Sequence, residues 1–312
     1  MSAFRSRRAR GPVPLFLLAL LGACASPAPE SVYSPTESIL EVVAVLRLHI
    51  DDDTYRFPPA RDFTGKDLFR SSFDRLESLE QIHEEKIRSG HLQDVVLFAK
   101  GRALERITEF DLAARHYAEV EGMNSPLAEP ARRGREINQR IADADRIRPE
   151  NDASIADALV QFEARQALLE QLEGEVDPSH YVYVIREELE RNDLARADYV
   201  RARSQIETGL DAAALRQYQR LVGRNQKSKF RNRHLLDLGE LYADLSRAYA
   251  RQVPPSSLGF DTVIFDEYAF GATRIFEAVS QQDGVLEKIE ASRRLEAFLA
   301  FILQVHEEHF PH

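Results

Sequence analysis

Three observations predict that this protein is all-α. Apolar residues recur at helical spacing along most of the 312 residues. We find no stretch in which apolar and polar residues alternate between hairpin turns, the pattern typical of half-buried strands. Gly and Pro number only 14 each, which is enough to separate many helices but few for a β protein with many tight turns.

The composition excludes several classes of protein. Asp and Glu number 51 against 41 Lys and Arg, and the net charge of −10 argues against a general nucleic-acid binder, which needs a basic surface. With 44% apolar and 29% charged residues, the chain resembles neither a disordered tail nor a polytopic membrane protein. The single Cys excludes an intramolecular disulfide and a cysteine-cluster metal site.

Residues 1–23 are predicted to be a lipoprotein signal peptide. A basic start is followed by a short apolar stretch, Val13 to Leu21, which is too short to cross a bilayer. The stretch ends in Leu21-Gly22-Ala23-Cys24, which resembles a bacterial lipobox. The resemblance implies that Cys24 carries acyl groups such as palmitate and becomes the mature N-terminus. An ordinary secretory signal, with Cys24 incidental, is the alternative.

The same resemblance to bacterial lipoproteins implies where the chain resides. Ala25, in place of an Asp after the cysteine, implies sorting to the outer membrane of a Gram-negative envelope. Residues 25–31 are mostly small residues and proline, and residues 24–33 are predicted to be the lipidated cysteine and a flexible tether. Removal of residues 1–23 takes away four arginines and no acidic residue, so the net charge of −10 becomes −14. We expect an acidic body that faces the periplasm.

Residues 34–93 are predicted to form the N-terminal helices. The run Ser34-Pro35-Thr36-Glu37 can cap and begin a helix, because Ser accepts a backbone hydrogen bond, Pro suits the first helical position and Glu can close a capping box. An acidic run at 51–53 and a proline pair at 58–59 end this helix. A second helix is expected from Lys66 to Arg88.

Residues 94–281 carry a degenerate repeat of helix pairs. A small residue in a first helix, then an alanine and an aromatic four residues apart in the second, recur at intervals of about 34 residues. The first copy comprises Gly101, Leu104, Phe110, Ala113, Tyr117 and Pro126; the second Ala202, Gly209, Ala214 and Tyr218; the third Gly239, Tyr242, Ala272 and Phe276, delayed by an insertion at 253–259. Two more helices, which meet near 148–152, are expected between the first two copies.

The spacing of these residues resembles the tetratricopeptide (TPR) family. The resemblance implies a right-handed α-solenoid of antiparallel helix pairs, whose concave surface binds a protein segment, and usually no catalysis. Solenoids need terminal caps, and residues 282–312 are predicted to be a C-terminal capping helix. In that helix, nine of the eleven residues 295–305 are apolar, so its own neighbours or a partner must bury it. A generic helical bundle with chance spacings is the alternative.

The run 224–233 is a candidate contact for an anionic partner. It reverses the local sign of charge, because it contains five cationic residues and no acidic one: Arg224, Lys227, Lys229, Arg231 and Arg233. Such a segment could meet an acidic protein, lipid headgroups or a wall polymer. A solvated turn between helices is the alternative.

No motif predicts catalysis, a cofactor or a metal. The run His306-Glu307-Glu308-His309 spaces its histidines three apart, whereas a zinc protease helix spaces them four apart. We find no P-loop, no nucleophile elbow and no dinucleotide-binding glycine motif. We therefore expect a protein that is not an enzyme.

The sequence as a whole predicts a membrane-anchored periplasmic scaffold or adaptor lipoprotein. Its partners would be envelope proteins, with no role for nucleic acid. One alternative is a helical accessory domain of a cell-wall (peptidoglycan) processing enzyme or of its regulator. Another is a solute-binding lipoprotein, which would be α/β and show buried strands.

Replacing Cys24 with Ser should leave the protein without acyl groups, because the thiol is the only acceptor that the lipobox offers. Mass spectrometry of the mature N-terminus measures this directly. An unmodified wild-type N-terminus at Ala25 or beyond would contradict the lipoprotein prediction.

Overall fold

A computed structural model describes residues 35–52, 61–90, 92–150 and 153–310, and within these ranges it contains twelve helices and no strand. The all-α prediction is therefore confirmed for this part of the chain. The predicted signal peptide, Cys24 and tether lie outside the described residues. The helices are α1 (Pro35–Asp52), α2 (Leu68–Ile82), α3 (Glu84–Arg88), α4 (Gln93–Arg106), α5 (Phe110–Glu121), α6 (Ala128–Asp145), α7 (Ile155–Glu175), α8 (His180–Ser204), α9 (Asp211–Arg224), α10 (Arg231–Gln252), α11 (Thr262–Ser280) and α12 (Lys288–His309).

The helix predicted from Lys66 to Arg88 is divided in two. Asp67 caps α2 by accepting a hydrogen bond from the backbone N–H of Arg70 at 3.0 Å. At His83 the backbone leaves the helical region, with φ −117° and ψ 31°, and separates α2 from the single turn of α3. Helix α3 ends at Arg88, and the chain turns at Gly90, whose φ of +100° favours a residue without a side chain.

Helices that follow each other in the sequence pack against each other. This holds for α4 with α5, α5 with α6, α7 with α8, α8 with α9, α10 with α11, and α11 with α12. Side chains also connect α7 and α9, since Arg224 donates to Glu170 and Arg220 donates to Gln166, each at 2.7 Å. The core is accordingly a series of apolar clusters along the chain.

A glycine-aromatic contact joins α4, α5 and α6. A Cβ on Gly101 would lie 2.7 Å from Cε1 of Tyr117, and one on Gly134 would lie 2.9 Å from Cε2 of the same ring. Both values are shorter than a carbon–carbon contact allows, so the ring of Tyr117 fits only because both flanking helices present glycine. Ala113 is fully buried, and Leu104 is 1% exposed. Gly134 was not among the predicted packing residues.

The same kind of contact occurs twice between α10 and α11. A Cβ on Gly239 would lie 2.7 Å from Phe276, and a Cβ on Gly271 would lie 2.6 Å from Tyr242. Each helix therefore supplies one glycine and receives one aromatic ring from its neighbour. Ala272 is fully buried beside this joint.

The middle copy of the predicted repeat is only partly as expected. Ala214 and Tyr218 of α9 are buried, and Gly209 occupies the preceding turn with a φ of +83°. Ala202 was predicted at the joint with α9, and this is wrong, because its side chain is exposed. The residues of α8 that pack with Ala214 and Tyr218 are instead Ala197 and Val200.

Helix α12 ends the array, slightly inside the predicted limits. Phe298 and Val305 are buried against α11. Leu299 and Leu303 are 41% and 63% exposed, so the helices of the described ranges leave part of the surface of residues 295–305 uncovered. None of the helices in the described ranges is both long and apolar enough for a membrane crossing.

Replacing Gly101 with Ala should lower the free energy of unfolding by about 1–3 kcal/mol, since the methyl group overlaps the fully buried ring of Tyr117. The matched control is Gly174→Ala in α7. That position is exposed with nothing within 4 Å of an added Cβ, and Ala should stabilise the helix there by roughly 0.5–1 kcal/mol. Urea unfolding followed by circular dichroism measures both, and an equal shift in both variants would contradict the packing argument.

Candidate functional site

An apolar cleft of about 490 Å³ lies between α1, α4 and the start of α8. Three polar side chains, Arg47, Arg102 and His180, complete a lining that is otherwise apolar. The apolar residues that line it within the described part of the chain are Val43, Leu46, Val95, Phe98, Ala99 and Leu127. Its volume lies in the range of about 300–1,000 Å³ that is typical of small-molecule pockets.

The cleft follows from how α1 sits on α4. Val42 and Leu46 of α1 are buried together with Ala99 and Ala103 of α4. Val43, beside them, is only half buried, and the next turn brings Arg47 to the edge of α1, where it is exposed. One face of α1 therefore seals against α4 while its flank forms one wall of the cleft.

Contacts with Phe98, Tyr181 and Glu105 help to hold Arg102 at the charged end of the cleft. Its guanidinium carbon lies 5.2 Å from the ring centre of Phe98 and 5.1 Å from that of Tyr181, so it lies against two aromatic faces. Its Nη1 donates a hydrogen bond to Oε1 of Glu105 at 3.1 Å. These contacts fix the position of a positive charge beside apolar walls.

Glu105 lies behind this end of the cleft and accepts four hydrogen bonds. Oε1 receives Arg102 at 3.1 Å and His180 Nε2 at 2.8 Å, and Oε2 receives Tyr117 at 3.0 Å and Asn138 at 3.1 Å. Glu105 is 1% exposed. Burial alone would raise its pKa, but the charge of Arg102 and the hydrogen bonds from His180 and Asn138 lower that pKa to about 2.

His180 and the two tyrosines near Glu105, Tyr117 and Tyr181, stay neutral near pH 7. Burial lowers the pKa of His180, although the neighbouring Glu105 opposes that change, so the imidazole donates as a neutral ring. Burial also raises the pKa values of Tyr117 and Tyr181. Because Glu105 is ionised and accepts four hydrogen bonds, the cluster holds Arg102 in place.

A second polar network runs along α8. This helix buries four carboxylates: Glu187, Glu188, Glu190 and Asp193. The carboxylate of Glu187 lies 3.3 Å from Arg106 of α4 and 2.6 Å from Lys229, just before α10. Glu190 lies 2.5 Å from Nε2 of His234 in α10.

The remaining two carboxylates of α8 meet cations from other neighbours. Glu188 lies 3.2 Å from Arg165 of α7 and pairs with Arg191 one turn along α8. Asp193 lies 3.3 Å from Nε of Arg224 in α9. Each buried carboxylate therefore has a cationic or imidazole partner, as a buried charge requires.

The structure corrects the prediction of a contact surface at 224–233. Lys229 was expected in an exposed turn, but its side chain is 2% exposed and is paired with Glu187. Arg224 is paired with Glu170 at 2.7 Å, and Arg233 lies 3.4 Å from Asp237 and 3.5 Å from Glu290. Acidic residues outside the run thus offset much of this charge, and the candidate surface reduces to Lys227, which is exposed, and Arg231, which is half buried.

His306 and His309 have partners within the protein. His309 donates from Nδ1 to the carbonyl of Pro255 at 2.7 Å, and Nε2 of His306 lies 3.4 Å from Asp266. Within the described ranges, no three His, Cys, Asp or Glu side chains are grouped so that they could hold a metal ion.

Neither the cleft nor the role of Glu105 was predicted from the sequence. The lining residues come from positions 43 to 180, and no local spacing relates them. A signal for the α8 network was present, because the run Glu187-Glu188-Leu189-Glu190 lies inside a helix without a polar face of its own. Such a run inside a helical array can be buried when its neighbours supply cations.

A scan against protein-family models and a search of curated proteins find no match to this chain. The lipobox and TPR resemblances therefore stay predictions.

Replacing Glu105 with Gln should lower the free energy of unfolding at pH 7 by roughly 3–5 kcal/mol, because it removes one partner of a buried charge pair. Folding lowers the pKa of Glu105 from 4.5 to about 2, so its ionised form stabilises the protein above about pH 4.5 and this stabilisation is lost as the pH falls towards 2. The difference in the free energy of unfolding between wild type and variant should therefore become smaller below pH 4.5. Denaturant titrations from pH 7 to pH 3 measure it.

The control for this prediction is Glu77→Gln, at an exposed position of α2, which should change stability little at any pH. A Glu105→Gln variant whose stability runs parallel to wild type over the whole pH range would exclude the assigned role of Glu105.

Proposed function

We propose that the protein is a membrane-anchored periplasmic scaffold, attached to the outer membrane through acyl groups on Cys24, which binds envelope proteins through a TPR-like right-handed solenoid. The described helices are its binding body. Residues 24–33 give this body reach from the membrane.

The observation that carries the proposal is the recurring glycine-aromatic joint. Tyr117 between Gly101 and Gly134 and the paired joint of α10 with α11 bring sequence-adjacent helices close together in two separate parts of the chain. Close packing of each helix on its neighbours in sequence is how helical repeat proteins build an extended surface. Such surfaces bind protein segments.

The polar clusters support a binding role over a catalytic one. Glu105 and the four buried carboxylates of α8 are engaged by cations or hydrogen-bond donors. Charges matched in this way hold helices in register. Each of these carboxylates has at least one such contact, although Oε2 of Glu190 and Oδ1 of Asp193 have no hydrogen-bond partner.

An envelope cross-linking experiment tests the proposal. A Gram-negative host expresses tagged wild type, Cys24→Ser and the double variant Lys227→Gln/Arg231→Gln, and cross-linked complexes are purified from the detergent-solubilised envelope. Wild type should be found in the outer membrane with one protein in stoichiometric amount, and Cys24→Ser should leave that membrane. Wild type without any stoichiometric protein partner would contradict the scaffold.

The double variant tests whether Lys227 and Arg231 attract the partner. Association should slow at 0.1 M salt and match wild type at 1 M salt, because the Debye length falls from about 10 Å to about 3 Å and charge steers mainly the on-rate. The matched control is Arg115→Gln at an exposed position of α5. Equal rates for all three proteins at low salt would exclude Lys227 and Arg231 as contacts that attract the partner.

A further inference from the structure

We propose that α12 binds α12 of a second copy of this chain in an antiparallel two-fold contact. Ala300 lies at the two-fold axis, and Arg293 of each copy lies opposite Glu307 of the other. The inference goes beyond the scaffold proposal and does not depend on it, because it involves neither Cys24 nor the run 224–233.

The exposed side of α12 is apolar near the middle of the helix. Ala297, Leu299, Ala300 and Leu303 are all exposed there. The opposite side of α12 packs against α11. In helical arrays the terminal helix usually presents a polar outer face to water. An apolar stretch on the last described helix is therefore a surface for another protein to cover.

Two charged residues flank this apolar stretch at equal distances. Arg293 lies seven residues before Ala300 and Glu307 lies seven residues after it, and all three side chains are exposed. Seven residues are close to two helical turns, so each charge lies on the same side of α12 as Ala300 to within about 20°. Within the described ranges, neither Arg293 nor Glu307 forms an ion pair.

This pattern makes α12 complementary to an antiparallel copy of itself. In a two-fold contact residue i meets residue j and j meets i, so an axis at Ala300 pairs Arg293 with Glu307 twice. The same axis sets Leu303 of each copy on Ala297 of the other, and the small alanine leaves room for the leucine. A shift of four residues would place Arg293 against Leu303 or against residue 311, so the charges specify the register.

The two remaining acidic residues on this part of α12 are compatible with the contact. Glu296 lies opposite Gln304 of the other copy in the proposed register. Gln304 donates one N–H to Glu308 at 3.0 Å, and its amide carries a second N–H for Glu296. The helix has 22 residues and is about 33 Å long, so the contact is small and we expect it to dissociate between about 1 and 100 µM.

Sedimentation velocity on the full chain with Cys24→Ser, purified without detergent, tests for the dimer. The protein carries no acyl group, so lipid cannot bring copies together. We expect the dimer fraction to rise with concentration. Ala300→Lys should abolish the dimer, because it brings two cations together at the axis, while circular dichroism should show an unchanged fold. Wild type that stays monomeric at about 100 µM, or a dimer that persists in Ala300→Lys, would exclude the proposal.

Reversal of the flanking charges tests the pairing. Arg293→Glu and Glu307→Arg should each weaken self-association at least tenfold, because like charges then face each other at both ends. A mixture of these two variants should form a heterodimer, and the double variant Arg293→Glu/Glu307→Arg should dimerise as wild type does. The control Arg115→Glu, at an exposed position of α5, should have no effect. A mixture that associates no better than either variant alone would refute the assigned pairs.

Cysteine cross-linking tests the orientation. In the Cys24→Ser chain an introduced cysteine is the only one. Ala300→Cys should form disulfide-linked dimers under mild oxidation. Ile289→Cys should not, because the two copies of Ile289 lie about 33 Å apart along the helices. Equal linkage at both positions would indicate a parallel contact, and linkage at neither would leave this side of α12 to a different protein, so either result would overturn the proposal.

Discussion

The need to neutralise the buried carboxylates of α8 constrains the rest of the structure. A carboxylate inside a protein is costly unless a cation or several donors meet it, and α8 buries four. Their partners come from different helices: Arg106 from α4, Arg165 from α7, Arg224 from α9 and His234 from α10. Each neighbouring helix must take one position along α8 so that its cation or imidazole meets its carboxylate. The charges thus set where the helices lie, and the apolar clusters fill the space between them.

The glycine-aromatic joints act across the same array at shorter range. The ring of Tyr117 lies against Gly101 and Gly134, and its hydroxyl donates to Glu105. One side chain therefore sets the approach of α4, α5 and α6 and also completes the cluster that holds Arg102 at the cleft. Packing and electrostatics are joined at this residue, so the geometry of the candidate site follows from how the helices pack.

Local patterns in the sequence were sufficient to predict most of the helices and some of the contacts between them. The spacing of Gly101 and Tyr117 places them on neighbouring helices joined by a short turn, so their contact could be predicted. Ala202 was misplaced because α8 extends over 25 residues, longer than a repeat helix, and its inward face carries Ala197. Lys229 was misjudged because its partner Glu187 lies 42 positions earlier. The cleft was missed for the same reason, since residues far apart in sequence form it.

The matched charges of α8 also bear on how the protein unfolds. In helical repeat proteins each unit contacts only its neighbours, so segments can melt one after another from the ends. Here α8 is tied through buried polar contacts, Glu187 with Arg106 and Glu190 with His234, to helices that precede it by four positions in the order and follow it by two. Separation of any of these helices from α8 would leave a buried carboxylate without its partner. The segment from α4 to α10 should therefore behave as one cooperative unit in hydrogen exchange, with only α1–α3 and α11–α12 free to open separately.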